Sequence, residues 1–434
     1  MNKILKNIYW LLFDKVFILI LQFFIGVKVA NYYGSESFGI YNYAVTIVTF
    51  SNIFFELFNN RVIKKYFTNN KFNFIVFNVN FFRNILAIFL FIITMILGKY
   101  TVTDKLFYYT LLLLCLDNIL LVSTSGIENY FEYKLNSKNI VLINNFVKLI
   151  SYLGQYIGII LNFSIIVVPI TRCFGSVIRI IVLNYFYKKT YLNKEKIREK
   201  VDVSLIKNII KDSFYLWITY VAFIIYTQID KVMLGKILGV KEVGVYSIAI
   251  QLTQFLGILI FPIQTSLFPK MLELYKNSNE EEYRKFYLLS NSMITQLYIF
   301  GYFISILCVK FLFLKIFSIE YIEAIEIYNI LGIVVVFKAN GALQTGHMTI
   351  KNITKKSIYK TFLGLIINII LNSFLIRKYG MIGAATATLI SQMTALFIVD
   401  FFIREYKEQA FIQLKSFNII YLIKNLKKCV KFKR

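Results

Sequence analysis

The segment GSESFGIYNYA at residues 34–44 recurs 205 positions later as GVKEVGVYSIA at residues 239–249. Four residue types match at equivalent places, so that Gly34, Gly39, Tyr41 and Ala44 correspond to Gly239, Gly244, Tyr246 and Ala249. Long apolar runs precede and follow both copies, and the same shift superimposes these runs as well. The repetition predicts a chain made of two related halves of about six helices each, an organisation typical of transporters.

The composition of the 434 residues indicates an integral membrane protein. Hydrophobic residues make up 58% of the chain and aromatic residues 18%. Apolar stretches of about 18 or more residues, long enough to cross a bilayer, occur along its whole length. The net charge of +26 does not indicate nucleic-acid binding, because most basic residues lie in short connections between these stretches. The four cysteines show no CxxC spacing, and we expect reduced thiols.

The apolar stretches predict twelve membrane-spanning helices, with both termini on one side. The spans are expected near residues 7–31, 36–60, 79–98, 106–126, 142–161, 163–187, 212–235, 242–267, 288–309, 321–345, 361–376 and 380–403. Connections on the side of the termini, together with the two ends, carry 33 Lys and Arg, whereas the opposite connections carry eight. The positive-inside rule therefore predicts that both termini are cytoplasmic.

The charged segments predict how the chain is divided. We expect an N-terminal six-helix lobe over residues 1–187, a cytoplasmic linker over 188–211, and a C-terminal six-helix lobe over 212–403. Residues 404–434 are predicted to form a basic amphipathic tail. The predicted fold class is an all-α integral membrane protein with twelve transmembrane helices in two lobes.

Several basic residues lie deep inside the predicted spans, where a charge is costly and usually faces a cavity or a partner. Arg172 and Arg179 are seven residues apart, which places both on one face of the sixth span. Because deep basic residues outnumber acidic ones, we expect a cationic, water-filled cavity for an anionic cargo. Arginine suits a diphosphate, since its planar fork can bind two oxygens at once. The expected cavity residues are Arg172, Arg179, Lys148, Arg83 and Lys338.

Two acidic residues in the predicted spans each have two possible roles. Asp117 and Asp230 are candidates for ion coupling or for salt bridges, and Asp117 could pair with either arginine of the sixth span. The only histidine, His347, has no metal-ligand partner at a useful spacing, and no GxxxxGK[ST] phosphate loop occurs. We therefore expect no catalytic residues, no metal, no cofactor and no direct use of ATP.

Four segments resemble the multidrug/oligosaccharidyl-lipid/polysaccharide exporter (MOP) superfamily, and specifically its Wzx-type flippases. They are YYGSESFGIYNYA (32–44), QIDKVMLGKILGVKEVGVYSIA (228–249), FPIQTSLFPKM (261–271) and KYGMIGAATATLISQ (378–392). The resemblance implies a MATE-like fold that flips undecaprenyl-diphosphate-linked oligosaccharide repeat units across the cytoplasmic (inner) membrane of a bacterium by alternating access. The units would serve O-antigen lipopolysaccharide or capsule synthesis, with membrane lipids and the polymerase and chain-length proteins of that pathway as partners. Asp230 would match the acidic residue of the family's seventh span.

Two other functions are compatible with about a dozen spans. An ion-coupled multidrug exporter of the same superfamily requires an acidic lumen, whereas the deep charges here are mainly basic. A membrane polysaccharide polymerase or ligase typically has a large outer loop, whereas all predicted outer connections are short. We therefore rank a non-enzymatic flippase first.

Overall fold

The computed structural model describes residues 2–67, 72–101, 103–191, 200–277 and 280–423. All regular secondary structure in these ranges is helical, as lipid requires of a backbone that cannot bond to water. The all-α prediction is confirmed. The α-helices are α1 (Asn2–Phe55), α2 (Asn60–Tyr66), α3 (Phe72–Thr101), α4 (Lys105–Val122), α5 (Ser125–Tyr133), α6 (Ser137–Ile160), α7 (Val167–Tyr191), α8 (Val203–Ile237), α9 (Val240–Gly257), α10 (Ile260–Lys276), α11 (Glu280–Ile316), α12 (Ala324–Asn340), α13 (Gln344–Ile350), α14 (Ser357–Leu396) and α15 (Lys407–Ser416).

The helices coincide with the predicted membrane spans. Nine helical stretches of the described residues are long and apolar enough to cross a membrane. The first two predicted spans lie together on α1, the last two lie together on α14, and each of the others lies on helices between them. The eighth span is divided between α9 and α10, which are separated by Ile258 and Leu259.

Three glycines with positive φ mark the turns between consecutive spans. Gly34 interrupts α1 with φ 74° and ψ 172°, and Gly380 interrupts α14 with φ 59° and ψ −137°. Gly239 precedes α9 with φ 131° and ψ 176°. Only glycine adopts such conformations at low cost, because a Cβ atom would clash with the backbone. The matched glycines of the repeated segment thus both form turns with positive φ.

The chain divides into two compact units, Met1–Gln228 and Ile229–Arg434, here called unit 1 and unit 2. The boundary between them lies inside α8. The first part of α8 packs within unit 1, where Trp217 Nε1 donates a hydrogen bond of 2.9 Å to the carbonyl oxygen of Ile53. The lobe and linker boundaries expected from the sequence stay a proposal.

Each unit has its own hydrophobic core. In unit 1, Ile63, Tyr130 and Phe131 belong to a buried cluster in which Tyr130 stacks on Phe72 with ring centres 4.4 Å apart. In unit 2, Met271 and several tyrosines form a comparable cluster. These cores fix the short helices at one end of each unit and thereby hold the long helices that carry the deep charges.

The predicted linker and tail are only partly described. Residues 192–199 of the linker and 424–434 of the tail lie outside the described residues. The described part of the tail contains α15, whose Glu408 accepts from Lys351 Nζ at 2.6 Å and pairs with Arg284 Nε at 2.9 Å. This part of the tail is therefore fixed to unit 2 by charged groups.

Candidate functional site

A buried carboxylate on α4 organises a group of polar side chains in unit 1. Asp117 Oδ2 accepts hydrogen bonds from Arg172 Nη2 at 2.9 Å and from Arg172 Nε at 3.1 Å. Ser176, one turn after Arg172 on α7, donates to the other carboxylate oxygen at 2.5 Å. Arg172 Nη1 donates to the hydroxyl oxygen of Tyr41 on α1 at 2.9 Å. Asp117 thus pairs with Arg172, one of the two partners that the sequence allows.

Part of the Arg172 side chain is accessible. Its side chain is 35% accessible, whereas that of Asp117 is 3% accessible. Its bonds to Asp117 and Tyr41 use three of the five N–H groups of the guanidinium, so two remain for another acceptor. The accessible group of the pair is therefore the cation, while its counter-charge is buried.

Arg179 is held differently from Arg172, although both lie on the same face of α7. Its side chain is 7% accessible, and its Nη2 forms an ion pair with Glu128. Its Nε donates to Asn144 Oδ1 at 2.9 Å, and its Nη1 donates to Thr124 Oγ1 at 2.6 Å and to the Leu121 carbonyl at 3.3 Å. Every nitrogen of this guanidinium is bonded, so its charge serves the packing of α4, α5, α6 and α7.

Lys148 on α6 lies in the same charged region. Its electrostatic neighbours are Asp14, Arg172, Arg179 and Glu128. Within the part of the chain that the structure describes, its ammonium group makes no hydrogen bond and no ion pair within 4 Å. Unit 1 therefore brings together three of the five predicted cavity residues, of which Lys148 and Arg172 are only partly buried.

The acidic residues of this region are more numerous than the sequence count suggested. Asp14 and Glu128 join Asp117 close to the three cations. Glu128 was missed because it lies in a predicted connection, yet α5 carries its side chain back to α7. Three acidic side chains thus accompany the three cations, and the more accessible group is the cation in the Arg172–Asp117 pair but the carboxylate in the Arg179–Glu128 pair.

Arg83 on α3 has a separate set of partners. Its side chain is buried, and its Nη2 donates to the carbonyl oxygen of Phe58 and, at 2.9 Å, to Asn60 Oδ1. Asn129 Nδ2 donates to the same Asn60 oxygen at 2.9 Å. Arg83 therefore fastens the turn between α1 and α2 to α3.

Asp230 on α8 is the centre of a polar group in unit 2. Its carboxylate accepts from Asn372 Nδ2 at 2.7 Å, from the Tyr246 hydroxyl at 3.2 Å and from Thr388 Oγ1. Asn372 and Thr388 lie on the two sides of the Gly380 turn in α14, so the turn brings both to one carboxylate. Among the described residues Asp230 has no ion-pair partner within 4 Å, and its hydrogen-bond donors are neutral.

Two lysines of unit 2 lie near this carboxylate. Lys231 follows Asp230 on α8 and is partly accessible, and Lys338 on α12 is exposed. Asp230 is an electrostatic neighbour of both. Neither ammonium group bonds to another of the described residues. Lys338 thus lies in a different unit from the other predicted cavity residues.

Two tyrosines of the repeated segment contact the deep charges, which the sequence did not indicate. Tyr41 binds Arg172 in unit 1, and Tyr246 binds Asp230 in unit 2. Both follow their turn glycine by seven residues, or two helical turns. That spacing was available in the sequence, but the deep partner of each tyrosine lies on another helix.

The sole histidine lies among aromatic side chains. His347 stacks on Tyr287 with ring centres 4.9 Å apart, and its Nδ1 shares a hydrogen bond of 2.7 Å with the Tyr283 hydroxyl. Within the described ranges no three His, Cys, Asp or Glu residues form a group that could hold a metal ion.

Comparison with known protein families identifies the chain. The family model for polysaccharide biosynthesis proteins matches residues 4–275. The chain belongs to the polysaccharide biosynthesis protein family. The family resemblance expected from the sequence is therefore confirmed at this level.

Relatives and solved structures extend this assignment. The chain is 27% identical over 255 residues to the uncharacterized membrane protein MJ1068 of Methanocaldococcus jannaschii, covering 56% of this chain and 49% of that protein. The chain thus spans about half the length of the curated relatives it matches. Among solved structures it resembles the lipid II flippase MurJ, with TM-score 0.72, 16% identity and coverage of 95% of this chain and 92% of that one. It also resembles an inward-facing MATE multidrug transporter of the MOP superfamily, with TM-score 0.71, 12% identity and coverage of 92% and 95%. These two likenesses establish the MOP fold, and with it a multi-pass membrane protein.

Proposed function

We propose that this family member is a flippase for an oligosaccharide linked to a polyprenyl diphosphate such as undecaprenyl diphosphate. It would move the lipid-linked repeat unit across the cytoplasmic membrane during O-antigen or capsule synthesis. Membership of the polysaccharide biosynthesis family and a fold shared with transporters support this role. The observation that carries the proposal is the accessible cation pair of unit 1, Arg172 and Lys148.

The chemistry of this pair suits a diphosphate. Arg172 has two N–H groups left after its bonds to Asp117 and Tyr41, and an arginine can hold two phosphate oxygens in parallel. Lys148 adds a second positive charge that makes no ion pair within 4 Å among the described residues, with Asp14 and Glu128 as its acidic neighbours. A lipid diphosphate head would bind these groups, while its prenyl chain stays in the lipid. In this proposal Arg179 and Arg83 hold unit 1 together, because both are buried, all nitrogens of Arg179 are bonded inside the unit, and Arg83 Nη2 bonds to Phe58 and Asn60.

Energy would come from an ion bound at Asp230. Asp117 is paired with Arg172, whereas the hydrogen-bond donors of Asp230 are neutral and its charged neighbours Lys231 and Lys338 make no ion pair with it within 4 Å. A carboxylate in such a place can take up a proton or a monovalent cation, since desolvation of its charge is only partly offset by hydrogen bonds. Asp230 is therefore our candidate for the coupling site of an alternating-access cycle in which both termini face the cytoplasm.

The partly accessible Arg172 and Lys148 also distinguish the proposed flippase function from the two alternative functions. A multidrug exporter with cationic substrates would place accessible carboxylates where this chain places Arg172 and Lys148. A polymerase or ligase would need catalytic groups at the outer surface. We propose instead that polymerase and chain-length proteins act on the repeat units after this transporter has delivered them.

The cellular test compares two lysine variants in a strain that lacks the native gene. Lys148→Gln removes a charge that makes no ion pair within 4 Å among the described residues, although Asp14 and Glu128 are its electrostatic neighbours, and we expect a protein level near that of wild type but surface polysaccharide lowered about tenfold or more. Lipid-linked repeat units should accumulate in the inner leaflet. Lys188→Gln, which changes an exposed lysine near the end of α7, is the matched control and should behave as wild type. Wild-type polysaccharide in Lys148→Gln at equal expression would contradict the site, and unchanged polysaccharide in the deletion strain would contradict the function.

A further inference from the structure

The repeated segment positions one tyrosine in each unit. Tyr41 lies seven residues after Gly34, and Tyr246 lies seven residues after Gly239. Both glycines have positive φ, so each begins a new helix, and two helical turns later that helix presents its tyrosine. The same local structure is thus built twice, once in each unit.

The two tyrosines meet deep groups of opposite charge. In unit 1 the hydroxyl oxygen of Tyr41 accepts a hydrogen bond from Arg172 Nη1 at 2.9 Å. In unit 2 the hydroxyl group of Tyr246 donates to Asp230 Oδ2 at 3.2 Å. A phenol can act in both ways, which allows one repeated feature to hold a cation in one unit and an anion in the other.

We propose that Tyr41 and Tyr246 are positioning residues with divided roles, an inference that rests on the function proposed above. Tyr41 holds the Arg172 guanidinium in the orientation that leaves its free N–H groups for the oxyanions of the cargo. Tyr246 holds the Asp230 carboxylate in the orientation that receives the coupling cation or proton, and the charged groups that face this carboxylate are Lys231 of α8 and Lys338 of α12. Each tyrosine acts on a different ligand through the charged group that it fixes.

The contacts of Tyr41 and Tyr246 explain what the loss of each hydroxyl group would change. Asp117 binds Arg172 through Nε and Nη2 only, so Tyr41 is the partner that fixes Nη1. Without it the guanidinium can tilt about its bonds to Asp117. Tyr246 is fully buried and approaches the same oxygen that Thr388 binds, so its loss leaves that oxygen with one fewer donor.

The test uses phenylalanine variants, which keep the ring and its packing. Tyr41→Phe, Tyr246→Phe and the control Tyr43→Phe are reconstituted in proteoliposomes with an undecaprenyl-diphosphate-linked oligosaccharide. Flipping is measured against cargo concentration and, separately, against sodium concentration and pH gradient. Tyr43 lies on the same helix as Tyr41, stacks on Phe107 at 5.5 Å, and its hydroxyl makes no hydrogen bond to the described residues.

We expect one variant to change the dependence of flipping on cargo concentration and the other to change its dependence on the ion or pH gradient. Tyr41→Phe should raise KM for the cargo about tenfold, which is the typical effect of losing a hydrogen bond to a charged group, and leave the ion dependence unchanged. Tyr246→Phe should shift the ion concentration or pH of half-maximal flipping by about tenfold and keep the cargo KM within about twofold. Tyr43→Phe should change neither.

Three results would overturn the inference. They are a cargo KM unchanged in Tyr41→Phe, an ion dependence unchanged in Tyr246→Phe, and equal shifts of both dependences in both variants, which a merely structural role produces. Failure of the wild-type protein to flip the lipid-linked oligosaccharide would overturn the proposed function and this inference with it. Flipping by the wild type without this difference between the two variants would overturn only the inference.

Discussion

Replacing Arg172 by glutamine should lower both stability and transport, and a second substitution should separate the two effects. The single variant Arg172→Gln leaves the carboxylate of Asp117, which is 3% accessible, without its cation. Breaking a buried pair on one side costs about 3–5 kcal/mol, a large fraction of the stability of a typical domain. We therefore expect little folded protein. The double variant Arg172→Gln/Asp117→Asn has no unpaired charge, so protein level should recover while flipping stays at least about tenfold below wild type.

The second ion pair on α7 is a matched control. Arg179→Gln also breaks a pair, and its partner Glu128 is 27% accessible, so we expect a smaller loss of about 1–3 kcal/mol. The double variant Arg179→Gln/Glu128→Gln should recover both protein level and flipping, because Arg179 is 7% accessible and all its nitrogens are bonded inside unit 1. The two double variants therefore differ only in transport.

The assay reads both quantities in one preparation. Membrane-inserted protein is measured by fluorescence-detected chromatography and thermal unfolding, and flipping is measured per folded molecule. The reasoning is refuted if Arg172→Gln/Asp117→Asn transports normally, since Arg172 would then be only structural. It is equally refuted if Arg179→Gln/Glu128→Gln folds normally but cannot transport, since the cargo would then depend on the buried arginine.

Three further predictions concern other parts of the chain. Gly239→Ala should destabilise the protein by about 1–3 kcal/mol because its φ of 131° is strained for alanine. Gly301→Ala lies in a helix, where the added Cβ would meet only Leu256 Cδ1 at 4.0 Å, and it should stabilise the protein by about 0.5–1 kcal/mol in thermal unfolding. Asp230→Asn should retain cargo binding but make flipping insensitive to imposed ion gradients, and a preserved gradient response would exclude Asp230 as the coupling site. Burial raises the pKa of Glu408, but the hydrogen bond and charge of Lys351 outweigh it and the pKa is lowered. The Glu408 carboxylate therefore contributes stability above its unfolded pKa of about 4.5, and this contribution is lost as pH falls through the lower pKa of the folded protein. The loss of stability in acid should be smaller in Glu408→Gln than in wild type.

The fold was largely predictable from the sequence. Hydrophobic length predicted helices at the positions where the structure has them, because the bilayer core imposes a minimum helix length whatever the tertiary contacts, and nine stretches of the described residues are apolar enough to cross a membrane. The repeated segment marked two turns, and the first glycine of each copy, Gly34 or Gly239, has a positive φ. The division into two compact units was harder to predict, because the boundary falls inside the continuous helix α8, where the sequence shows no break.

The candidate site was only partly predictable. The seven-residue spacing placed Arg172 and Arg179 on one face of α7, as observed, but it could not show that one guanidinium is accessible and the other buried. That difference depends on Glu128, which returns from a short helix outside the predicted spans. A count of charges by span treats all cations alike, whereas only three-dimensional packing determines which of them a ligand can reach.

The most direct test of the proposed function is a flipping measurement on the purified wild-type protein with two matched cargoes. Proteoliposomes receive the same oligosaccharide on undecaprenyl diphosphate or on uncharged undecaprenol, and sugar exposed on the opposite leaflet is measured over time. If Arg172 and Lys148 bind the diphosphate, the charged cargo should be flipped and the neutral one should cross no faster than in protein-free vesicles. Equal rates for the two cargoes, or no flipping of either above the protein-free rate, would contradict the account.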